Sequence, residues 1–176
     1  MSQEQCDEGQ VDLFLPQLTA LPLRDQRETM ERPFFSLSKR KRLKPIDYVS
    51  PDGKITVHVS ANSEYGLATI YDLDILIYCA SVLIEQKRRG SNDIPQTLHI
   101  VPYDMLKTLK RDVGGRAYDL LGNTLDRLQS TTVKTNIRSG DAVETTFSWI
   151  DSYSQIRDRS GQIRGMRITL AKWLYD

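Results

Sequence analysis

Two stretches with helical spacing, Tyr103 to about Arg111 and Arg116 to about Gln129, flank the break Asp112-Val113-Gly114-Gly115, and alternating β-branched segments follow them. A longer helical stretch precedes the pair. Together these observations predict an α+β fold in which two short helices across a Gly-containing turn lead into a C-terminal β-meander.

Residues 1–31 mix Gln, Asp, Glu and Pro around one short apolar island, Val11 to Leu15, with no sustained period. They are expected to be a disordered leader or a docking peptide. The leader holds seven acids against Arg24 and Arg27, a net of −5, and because the whole chain carries +1, residues 32–176 carry +6. A basic domain behind an acidic leader suits a polyanionic partner. Between Ser38 and Lys44 (SKRKRLK) stand Lys39, Arg40, Lys41, Arg42 and Lys44. So dense a run repels itself, and it reads as an arm over residues 38–44 that meets a phosphate backbone or a minor groove.

Lys54 to Val59 alternates behind the turn signal Pro51-Asp52-Gly53 and predicts a strand. After a second turn at Asn62 to Gly66, Asp72 is placed to cap a helix from Leu73 to about Lys87. Ile75, Leu76, Cys79, Val82, Leu83 and Gln86 keep helical spacing, yet Leu73, Ile77 and Ile84 fall on the other side. A helix apolar over more than one stripe lies deep in a core or at a subunit interface, and Leu73, Leu76, Ile77 and Ile84 are the interface candidates.

Gln96 to Val101 reads as a short strand, and Pro102 suits the first turn of the helix that begins at Tyr103, with Leu106 and Leu109 inward. In the next helix Ala117, Leu121, Thr124, Leu125 and Leu128 share one face. Thr131 to Arg138 alternates, Ser139-Gly140-Asp141 turns, and Val143, Thr145, Phe147 and Trp149 share a face of a second strand. Asp158 to Gly161 turns again, and Met166, Ile168 and Leu170 mark a third strand. The order helix, helix, turn, helix, meander is that of a winged helix-turn-helix domain, expected over residues 32–176.

The face of the second short helix opposite its apolar stripe carries Arg116, Asp119, Asn123 and Arg127 at steps of three or four. Arg pairs bidentately with guanine and Asn with adenine, so this face is suited to base edges in a major groove. Lys107, Lys110 and Arg111 close the helix before it and are candidates for phosphates. Lys134 and Arg138, beside Ser139-Gly140, are the candidates for a wing tip. His58 and His99 stand in separate strands without metal-ligand spacing, and no phosphate-cradling glycine motif occurs. A non-enzymatic protein without cofactor or metal is expected. Two cysteines, Cys6 and Cys79, give no disulfide framework and suit a reducing cytoplasm. The longest apolar run, Ile75 to Ile84, falls far short of the roughly 20 residues of a membrane span.

The stretches ERPFFSLSKRKR (31–42), ATIYDLDILIYCASVL (68–83), VPYDMLKTLKR (101–111), GGRAYDLLGNTLDRLQSTTVKTNI (114–137) and ITLAKWLYD (168–176) resemble replication initiator protein A of bacterial plasmids. The resemblance runs from about Glu31 to the last residue. It implies binding to double-stranded origin DNA, recruitment of host replication proteins, a homodimer and, often, self-repression. It also implies a second winged helix domain beyond Asp176. Two other readings remain open: a dimerisation module whose partner half reads DNA, and a transcriptional repressor.

Overall fold

The computed structural model describes residues 34–90, 97–137 and 143–174; the leader, Arg138 and the turn at 139–141 lie outside these. In chain order the elements are β1 (Ile46–Val49), β2 (Thr56–Ser60), α1 (Ile70–Arg88), β3 (Thr97–Ile100), α2 (Pro102–Thr108) and α3 (Gly115–Ser130). They continue as β4 (Thr132–Thr135), β5 (Thr145–Ser148), β6 (Ile150–Arg157), β7 (Ile163–Leu170) and a 3-10 turn at Lys172–Leu174. The fold is mixed α and β, with antiparallel sheets ordered β1-β2-β4-β5 and β3-β7-β6.

Alternation decides which face of each sheet is dry. In the first, Ile46 pairs with Val59, Val59 with Val133 and Val133 with Phe147, an apolar row on the core face. The neighbouring row, Asp47, His58, Lys134 and Thr146, points the other way. β1 was not predicted, because four residues behind a cationic run are too few to establish a period. The β1–β2 turn follows the signal read at Pro51-Asp52-Gly53: Ser50 N–H donates to Ile55 O at 2.8 Å, and Gly53 takes φ 74°, which a side chain would resist.

The predicted meander is divided between the two sheets. Val143, Thr145, Phe147 and Trp149 were expected on one strand face, but β5 stops at Ser148, β6 begins at Ile150 in the other sheet, and Val143 is exposed. Trp149 is the crossing point and is fully buried. Phe35 stacks on it at 4.8 Å, while Phe34, Phe147 and Trp173 meet it edge-on at 5.8, 5.4 and 6.4 Å. Its carbonyl accepts from Ala171 N–H at 3.1 Å. Truncating such a residue to Ala costs about 3–5 kcal/mol, so the crossing is fixed by packing, not by turn residues.

The helix expected from Leu73 begins at Ile70. Asp72 is not its outer cap but the fourth residue of a capping box. Its Oδ2 accepts from Thr69 N–H at 2.8 Å, and Thr69 Oγ1 accepts from Asp72 N–H at 3.3 Å. Ile75, Leu76 and Cys79 are fully buried in the chain's own core. Leu76, an interface candidate, is thus withdrawn from the surface, while Leu73 and Ile77 are half-buried and the Ile84 side chain lies outside the described residues. Burial pushes the Cys79 thiol up to about 12, so it is neutral and serves as a small apolar residue.

Pro102 occupies the first turn of α2 as expected, but the helix ends at Thr108, three residues early. Lys110 takes φ 57°, Arg111 N–H donates to Leu106 O at 2.8 Å and Lys110 N–H to Lys107 O at 3.0 Å. This is a Schellman closure with a lysine where glycine is usual.

Candidate nucleic-acid interface

α3 divides cleanly. Ala117, Leu121, Thr124, Leu125 and Leu128 are buried, and Arg116, Asp119 and Asn123 are exposed on the opposite side. None of these three has a side-chain partner among the described residues. The helix is held from two directions. Tyr153 on β6 donates its hydroxyl to Asp126 at 2.6 Å, and burial together with that carboxylate raises the Tyr153 pKa.

The second anchor engages one of the base-reading candidates within the chain itself. Arg127 turns away from solvent and donates Nε and Nη2 to Asp72 Oδ2 and Oδ1, each at 2.8 Å. A third bond reaches Thr124 Oγ1 at 3.2 Å. The bonds to Asp72 hold the guanidinium charged, raising its pKa further. Helical spacing puts Arg127 in the row of Arg116 and Asn123, but a buried carboxylate across the cleft claims it.

Arg111 is committed in a similar way, because its Nη2 donates to Tyr71 O at 2.8 Å and approaches Asp74 at 3.4 Å. Lys107 is exposed with its ammonium 5.7 Å from the Tyr103 ring, and Lys110 is exposed on the Schellman turn. Between the start of α1, this turn and α3 lies an open cleft of about 840 Å³.

The basic arm is strapped in place. Arg42 O accepts from Leu67 N–H at 2.9 Å, Ser36 exchanges backbone bonds with Ala68 and Ile70, and Arg42 Nε donates to Lys44 O. Lys39 sits 5.2 Å from the Tyr71 ring, beside the same cleft, and Arg40, Lys41 and Lys44 are exposed. Gly66 permits this approach: its φ is +80°, and an added Cβ would stand 2.8 Å from Lys41 Cγ and 3.3 Å from Arg42 O.

Lys134 stands in the middle of the four-stranded sheet, between His58 and Thr146, and not at a hairpin tip. Its companion Arg138 lies outside the described residues. The long hairpin in the second sheet is β6–β7, and its arginines were not singled out. Asp158 orders the tip, accepting from Ser160 N–H, Ser160 Oγ, Gln162 N–H and, at 2.7 Å, Arg164 Nε. Those hydroxyl and guanidinium bonds hold the Asp158 carboxyl well below the usual carboxylate range. Arg157 donates to Gly161 O at 2.9 Å, and Arg159 and Arg167 are exposed without side-chain partners among the described residues. The signal was there in the Arg-rich flanks of Asp158-Arg159-Ser160-Gly161.

Among the described residues no cluster of His, Cys, Asp or Glu can hold a metal, and no helix is long and apolar enough to cross a membrane.

Comparison with known proteins supplies a context for this surface. The family model of replication initiator protein A matches residues 24–176. A putative replication protein of Wigglesworthia glossinidia brevipalpis is 31% identical over 157 residues, covering 86% of this chain and 55% of that protein. The chain therefore spans about half the length of that curated relative. Two crystal structures of domains 2 and 3 of RctB resemble it in fold. One has a TM-score of 0.60 over 84% of this chain and 60% of that one, the other 0.54 over 81% and 55%, both at 12% identity.

Proposed function

The chain belongs to the replication initiator protein A family, and on that footing we propose that it is a winged helix module that binds double-stranded plasmid origin DNA. It works in the bacterial cytoplasm as a homodimer, recruits host replication proteins and catalyses no reaction itself. The observation that carries the reading is the row Arg116, Asp119 and Asn123, exposed and unpartnered among the described residues, on the helix that follows a tight turn. α3 enters the major groove with Arg116 on guanine and Asn123 on adenine. Lys107, Lys110 and the arm approach phosphates.

Topology supports the winged helix assignment. In that fold the strand after the first helix pairs with the last strand of the wing, which is the relation of β3 to β7, and the sheet order is β3-β7-β6. The wing is accordingly β6–β7, with Arg159 and Arg167 toward DNA, while the strands carrying Lys134 form an added sheet.

Replacing Arg116 or Asn123 by Ala tests the reading. Each should cost about 1–3 kcal/mol on a duplex selected from a random library and much less on random duplex. A second reading, a dimerisation module, is favoured by the commitment of Arg111 and Arg127 to α1 and by the half-buried Leu73 and Ile77. It prevails if both variants bind like the parent while Ile77→Asp dissociates a dimer.

A further inference from the structure

Leu120 interrupts the polar row of α3. It is 54% exposed, and it lies four residues after Arg116 and three before Asn123, so the three side chains stand together on one face. Arg116 and Asn123 are both exposed and unpartnered among the described residues. The leucine lines the edge of the open cleft and keeps about half of its surface in solvent, whereas Leu121 beside it in sequence is buried.

We infer that Leu120 is a specificity-determining residue that reads thymine through its C5-methyl group; the inference rests on the proposed binding of α3 in a major groove. Of the groups that base edges present in that groove, the thymine methyl is the apolar one, and it needs an apolar partner and no hydrogen bond. A leucine supplies that and cannot serve the donors and acceptors of other bases. The row then reads as a guanine donor pair, an apolar contact and an adenine pair within two helical turns. Packing the methyl against Leu120 also removes from water a side chain that the free protein leaves wet.

The experiment uses the full chain and the duplex it enriches most from a random library, synthesised with thymine or with 2′-deoxyuridine, which lacks only the methyl. The parent should bind the uracil duplex about fourfold more weakly for each methyl it buries, the equilibrium weight of one such group. Leu120→Ala should bind the thymine duplex as weakly as the parent binds the uracil one, with no further loss on uracil. Leu120→Met, which keeps apolar reach, should retain the discrimination. Because the side chain is exposed, neither variant should shift the thermal midpoint appreciably. The inference is overturned if the parent binds both duplexes alike or if Leu120→Ala discriminates as the parent does. It is also overturned if Leu120→Ala leaves discrimination intact and breaks self-association, which would make the leucine a subunit contact. Enrichment of no duplex at all would instead remove the DNA-binding reading, and this inference with it.

Discussion

Asp72 and Arg127 form a two-pronged ion pair, Nε to Oδ2 and Nη2 to Oδ1 at 2.8 Å, between the first turn of α1 and the last turn of α3. Asp72 is 1% exposed, so its charge depends on that guanidinium and on the Thr69 N–H. Removing one partner of a buried pair costs about 3–5 kcal/mol. The Arg127 side chain is 27% exposed, and water access puts Arg127→Ala near the lower end, about 3 kcal/mol. Urea denaturation should show this as a lower midpoint with an unchanged slope. A variant of parental stability with weakened duplex affinity would return Arg127 to the DNA-facing set.

The two candidate wings are separable. Arg159→Ala and Arg167→Ala should each weaken binding to any duplex and reduce the salt slope by up to about 0.9 for every phosphate the side chain had neutralised. Lys134→Ala should leave both quantities at parental values. The opposite pattern would assign the wing to the four-stranded sheet.

For the arm, replacing Lys39, Arg40, Lys41, Arg42 and Lys44 together by Ala should weaken binding to every duplex and flatten its salt dependence. Gly66→Ala should do part of the same without removing a charge. The new methyl drives into Lys41 and the Arg42 backbone at a φ of +80°, at a cost of about 1–2 kcal/mol in the left-handed region. A salt titration by fluorescence anisotropy checks both. An unchanged slope in the fivefold variant would show that the arm touches no phosphate.

The tip of β6–β7 should be acid-sensitive. Because the folded Asp158 carboxyl lies below its ordinary value, its contribution is whole above the unfolded value of about 4 and is lost as pH falls from there through the folded value. The Ser160 and Gln162 amide resonances, which report its backbone bonds, should move together over that window. In Asp158→Asn they should not titrate.

The helix pair was legible because Ala117, Leu121, Leu125 and Leu128 give α3 an apolar stripe and Pro102 fixes the start of α2. Most strands were legible from period-two spacing. The division into two sheets was not, since Thr145, Phe147 and Trp149 keep one period right up to the crossing and no glycine or proline marks it. The early end of α2 was hidden because a lysine occupies the left-handed position. Arg127 shows the limit for sites: spacing assigns a side chain to a row, but only tertiary placement of Asp72, 55 residues earlier, reveals that another group has claimed it.

The aromatic packing around Trp149 also bears on biosynthesis. A growing chain exposes Phe34 and Phe35 first, must then make more than a hundred residues before Trp149 exists to receive them, and reaches Trp173 later still. Hairpins such as β1–β2 can close early on the ribosome, whereas the nucleus that welds the two sheets is completed by some of the last residues described. Until Trp149 is made the nascent polypeptide therefore carries a Phe34-Phe35 pair without its aromatic partner, an adhesive site of the kind that chaperones capture.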